Sequence, residues 1–69
     1  MKLIIEAELE DDGRWIAEVV DLPGVLAYGK GRDEAVQSAQ ALALRVIADR
    51  LEHGEPVEEW IIASVFRAA

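Results

Sequence analysis

Apolar and polar residues alternate along the first ten positions of the chain. The odd positions in 3–9 are leucine, isoleucine or alanine, whereas positions 6, 8 and 10 are glutamates. Alternation of this kind predicts a β-strand with one buried face. The sequence DDG at 11–13 is a turn signal, and a second strand is predicted for residues 14–20.

A three-residue loop at this turn determines which residues of the two strands face each other. Leu9 then lies opposite Trp15 and Ile5 opposite Val19, so both strands bury the same face. The other face of the hairpin carries acidic and aliphatic side chains, among them Glu6, Glu8, Ile16 and Glu18.

Glycine-rich and proline-containing segments divide the rest of the chain. The sequence LPG at 22–24 predicts a turn, because proline presets φ and glycine follows where a type II turn needs positive φ. The short strand VLAY leads to a helix predicted for residues 32–53, ended by Gly54 and Pro56. The run EWIIASVF predicts a last strand at 59–66. The predicted order is β-β-β-α-β, an α+β domain with one helix on a small, mainly antiparallel sheet.

The predicted helix and last strand carry more apolar surface than one sheet and one helix can cover. The apolar arc of the helix spans roughly 200°, and the last strand is apolar on both faces. We therefore expect a homodimer or larger assembly, with an interface at Leu44, Ile61 and Val65. Arg50 interrupts the arc; its stem is interpreted as packing on the core with the head in solvent, or alternatively as forming an ion pair with another strand or subunit.

The composition narrows the class of function. A chain of 69 residues forms one small domain, and the absence of cysteine excludes disulfides and thiolate zinc sites. The single His53 does not make an ordinary metal site, so no metal or cofactor is expected. The net charge of −7 opposes direct nucleic-acid binding and suits a basic protein partner. Without a membrane-length apolar run or a signal-peptide pattern, the expected location is cytoplasmic.

Several separated motifs together resemble the HicB-like antitoxin family. They are the acidic-acidic-glycine turn, the aromatic Trp15, the turn Asp21, Leu22, Pro23 and Gly24, the YG at 28–29, the EA at 34–35 and the HG-x-P after the helix. The resemblance extends over about residues 5–57. Two positions depart from the family pattern, because Val20 replaces a frequent proline and Gly31 replaces a frequent hydroxyl residue at the helix start.

The resemblance implies a partial RNase-H-like fold and an antitoxin of a toxin-antitoxin system. Its partner would be a HicA-type toxin, a small basic ribonuclease whose mRNA cleavage the antitoxin blocks. Residues 1–69 are expected to be the toxin-neutralising domain alone, without a C-terminal DNA-binding segment and without direct DNA binding. We expect the toxin to bind the hairpin face formed by Glu6, Glu8, Ile16 and Glu18. The turn at 21–24 is interpreted first as structural and only second as a partner contact.

Two other functions remain open from the sequence. A metal-dependent RNase-H-like nuclease would need carboxylates that converge on metal, whereas the glutamates of this hairpin are spread along a strand. We therefore predict no catalytic residue and no enzyme. An orphan homodimer without a toxin is the other alternative, and the sequence does not separate it from an antitoxin because it does not encode the partner's identity.

Overall fold

A computed structural model of the chain describes residues 2–69 and contains five elements. The strands β1 (Ile5–Leu9), β2 (Trp15–Val19) and β3 (Leu26–Gly29) form an antiparallel sheet in the order β1-β2-β3. The helices α1 (Arg32–Glu52) and α2 (Glu59–Val65) follow, and α1 packs on one face of the sheet. The predicted α+β class is confirmed, with a three-stranded sheet and its helix.

The hairpin has the register that the alternation of residues predicts. Ile5 pairs with Val19 and Leu9 with Trp15. Gly13 takes a φ of 87° in the turn, a conformation that glycine adopts without steric penalty. The register also places two glutamates, Glu6 and Glu18, directly opposite each other.

The core between sheet and helix is built mainly from small side chains. Ala35, Ala39 and Ala43 follow one another at every fourth position of α1, and all three are buried. Their small size lets the helix lie close to the sheet. Leu22 and Val19 are the largest fully buried side chains among the described residues. The core is therefore thin, as expected for a domain of this length.

The turn at residues 21–24 forms as predicted and ties distant parts of the chain together. The backbone N–H of Val25 donates to the oxygen of Leu22 at 3.0 Å, and Gly24 has a φ of 86°. Asp21 accepts a backbone hydrogen bond, but its donor is the N–H of Ile4 at 3.1 Å, seventeen residues earlier, rather than a group within the turn. This turn thus fixes the start of the hairpin.

Residues 59–66 do not form the predicted fourth strand, and this prediction is wrong. The segment Glu59–Val65 is the helix α2, in which Ile61 is buried. A short apolar run fits the strand and helix periods equally well. In the helix, the N–H of Phe66 donates to the oxygen of Ile62 at 2.8 Å, and Glu59 in the first turn is favoured by the helix dipole.

Helix α1 leaves part of its apolar arc uncovered. Gly54 follows it with a φ of 67°, as predicted for its C-terminal end. Leu44 and Leu51 are exposed, because the sheet covers only the side that carries the alanines. Arg50 is half-buried near the helix end.

Within the described residues, no helix combines the length and the apolar character needed to cross a membrane.

Candidate protein-binding surface

The sheet face opposite α1, here called the outer face, is not covered by any element of the described chain. Register and strand alternation place on it Ile4, Glu6, Glu8, Ile16, Glu18, Val20, Leu26 and Tyr28. The four residues predicted to bind a toxin therefore lie together. With Ala7 they line a shallow hollow of about 210 Å³.

Charge is distributed unevenly across the outer face. Glu6 on β1 lies opposite Glu18 on β2, and Glu18 in turn lies opposite Leu26 on β3. In the next row Glu8 lies opposite Ile16, which lies opposite Tyr28. The β1 side is thus acidic and the β3 side apolar. In the part of the chain that the structure describes, none of the three glutamates forms an ion pair.

Strand alternation places Arg14 on the outer face as well, but other groups hold its guanidinium. The Arg14 guanidinium lies 4.2 Å from the centre of the Tyr28 ring, and its Nε donates to Asp12 Oδ2 at 2.7 Å. The backbone N–H of Arg14 and then its guanidinium lower the pKa of Asp12 below its ordinary value. Arg14 therefore closes the hairpin turn instead of neutralising the glutamates.

The contact between Arg14 and Tyr28 was not predicted from the sequence. The register could have revealed it, because Tyr28 lies opposite Ile16, two residues along β2 from Arg14. Diagonal neighbours of this kind are within reach of long and aromatic side chains. Asp12, two residues before Arg14, was the other feature of the sequence from which the position of the Arg14 side chain could have been predicted.

A second exposed surface lies between α1 and α2 and is entirely apolar. This helix-side patch surrounds a groove of about 230 Å³ lined by Leu44, Ile47, Ala48, Leu51, Ile61, Ile62, Val65 and Phe66. Leu44 is 62% and Val65 59% exposed. Residues that contact a second copy must be exposed in a single chain, and these two meet that requirement. Ile61 is only 2% exposed and belongs to the chain's own core, so its prediction as an interface residue is corrected.

The remaining candidate residues have local structural roles. His53 ends α1, and its Nδ1 lies 2.7 Å from the backbone oxygen of Asp49. Both tryptophans are half-buried against the core, and Trp60 Nε1 donates to Glu58 Oε2 at 2.6 Å. Among residues 2–69, no three His, Cys, Asp or Glu side chains are grouped closely enough to hold a metal ion.

Comparison of the chain with protein-family models, with curated proteins and with solved structures gives no match. The likeness to HicB-like antitoxins therefore stays a prediction from the order and spacing of the motifs.

Proposed function

We propose that the chain is an antitoxin-like binding module that neutralises a HicA-type mRNA-cleaving toxin by direct contact. The supporting observation is the outer face, where Glu6, Glu8 and Glu18 line a hollow with Ile16 and form no ion pair with any of residues 2–69. The motif order of the sequence supports the choice of toxin class.

A basic protein partner is the kind of ligand that this face suits best. Like charges placed directly opposite on neighbouring strands destabilise a sheet, and Glu6 and Glu18 are such a pair. Lysine or arginine from a partner would relieve this repulsion on binding. The exposed aliphatic side chains nearby add apolar area, and the net charge of −7 would steer a basic protein toward the complex.

Occlusion follows from competition for the same basic groups. A ribonuclease that holds mRNA needs lysines and arginines to replace the counterions of the phosphates. A surface of carboxylates binds those same cations. The antitoxin would then cover the RNA-binding surface of the toxin and block cleavage without carrying out any reaction of its own.

Binding kinetics with charge-reversed variants test this proposal. Exchanging Glu6 and Glu8 together for lysine is expected to slow association with a HicA-type toxin encoded beside this chain, most strongly at low salt. The matched control exchanges Glu52 and Glu55, two exposed glutamates at and just after the end of α1 that are not part of the outer face, and carries the same change in charge. Equal association rates for the two variants would contradict the proposed site.

The two alternative functions, an orphan homodimer and a nuclease, predict different experimental results. An orphan homodimer would have no small basic reading frame beside its own, and no protein that it binds through the outer face. A nuclease would cleave RNA in the presence of Mg²⁺ or Mn²⁺ and lose this activity in Glu8→Gln. Cleavage of that kind by the pure protein would overturn the proposed function.

A further inference from the structure

We infer that the helix-side patch is the interface through which two copies of this chain form a homodimer. Its exposed contact residues are Leu44, Leu51, Val65 and Phe66, whereas Ile47 and Ile61 form the buried floor of the groove between α1 and α2. This inference is independent of the proposed toxin binding, which uses the opposite side of the sheet.

The chemistry of the patch selects a second copy over a basic partner. None of its lining residues is charged or polar, so it offers nothing to lysines or arginines. Two chains of net charge −7 repel each other across any acidic surface. They meet with the smallest penalty where neither presents a carboxylate, and the patch is such a place.

The thin core gives the chain a reason to dimerise. Domains of this size bury too little surface to be stable by a wide margin, and association is one of the usual remedies. The radius of gyration is 13.3 Å, against about 11 Å for a compact domain of 69 residues. The chain is thus more extended than its length requires, and apolar side chains such as Leu44 and Phe66 remain at its surface.

The groove continues toward the sheet, which gives the interface sufficient width. Leu44 also lines a neighbouring hollow of about 340 Å³, formed with Leu3, Ile5, Val19, Gln40 and Ala43. In a twofold symmetric pair the same patch is used by both copies. Leu44 of each copy is then placed centrally, between its own two hollows. Both outer faces stay open, so one dimer would present two acidic faces.

Sedimentation equilibrium at micromolar concentration tests the inference with lysine substitutions. Leu44→Lys and Val65→Lys each lower the net negative charge, so electrostatics alone would strengthen association. We expect instead that each raises the dimer dissociation constant about tenfold or more, since a buried leucine or valine is lost from the interface. The control is Leu9→Lys, because Leu9 is equally exposed but lies at the hairpin end.

The dependence of affinity on ionic strength distinguishes dimer formation from toxin binding. Screening of the two −7 charges is expected to strengthen the dimer as ionic strength rises, whereas a complex with a basic toxin weakens. If a lysine variant does not fold, the unfolding midpoint of the unchanged protein must still rise with protein concentration. A monomeric unchanged protein, or equal weakening by Leu9→Lys and Leu44→Lys, would overturn the inference.

Discussion

Gly29 and Ala35 lie so close that no side chain fits between them. A Cβ atom on Gly29 would be 2.5 Å from the backbone nitrogen of Ala35 and 3.0 Å from its Cα. The last residue of β3 thus packs directly against the first turn of α1. This contact gives a physical reason for the glycine of the YG motif.

Gly29→Ala is expected to destabilise the domain by about 1–3 kcal/mol, the usual range for overpacking. The neighbouring atoms belong to the backbone and cannot move aside as a flexible side chain would. Gly31→Ala is the control, since a Cβ there meets nothing within 4 Å and its φ is −130°. Urea unfolding of both variants measures the difference, and equal stabilities would contradict the close packing.

Asp21 is expected to matter for folding more than for partner contact. Asp21→Ala removes the acceptor of the Ile4 N–H, a hydrogen bond to a charged group that contributes on the order of 1–3 kcal/mol. Hydrogen exchange at the Ile4 amide should accelerate, while association with a toxin should not change. Unaltered exchange at Ile4 combined with weaker toxin binding would instead make this turn a binding element.

The hairpin turn is expected to weaken in acid because of Asp12. Its pKa is lowered in the folded state, mainly by the backbone N–H of Arg14, so the folded chain releases this proton more readily than the unfolded chain. The stabilisation is therefore complete above the pKa of Asp12 in the unfolded chain and is lost as pH falls through the lower pKa of the folded chain. Asp12→Asn should be less stable than the unchanged protein at neutral pH, and the gap should close in acid. Unfolding midpoints measured between pH 7 and pH 2 check this; a gap that does not change with pH would contradict it.

Glu6 is expected to lower stability while promoting binding. Replacing it by lysine turns the repulsion with Glu18 into an attraction, which should raise the free energy of unfolding by roughly 0.2–1 kcal/mol. Low-salt urea unfolding measures the gain, and Glu52→Lys provides the control for overall charge. A loss of stability in Glu6→Lys would show that the outer face is arranged differently.

The sequence was informative where one face of an element is buried and the other is polar. A slip of one residue in the hairpin would expose Ile5 and bury glutamates, so alternation together with the three-residue turn at 11–13 determines the register. The glycine turns were predictable for a similar reason, because Gly13 and Gly24 take positive φ values that other residues avoid.

The last element was not predictable because its pattern is ambiguous. Residues 59–66 are too few and too apolar to distinguish a strand from a helix. The location of Ile61 depended on that distinction. The helix places its side chain in the core, whereas the predicted strand placed it at an interface with a second copy. Arg14 was missed for another reason: its contact with Tyr28 depends on how β2 pairs with β3, and that register was not predicted.

Inhibition of mRNA cleavage measures toxin neutralisation by the outer face. A HicA-type toxin encoded beside this chain would be incubated with mRNA and increasing amounts of the unchanged protein, of the Glu6→Lys, Glu8→Lys double variant, or of the Glu52→Lys, Glu55→Lys control. We expect cleavage to stop near one copy of this chain per toxin for the unchanged protein and the control, and the outer-face variant to need a large excess at low salt. Undiminished cleavage with the unchanged protein, or full inhibition by the outer-face variant at the same ratio, would contradict this expectation.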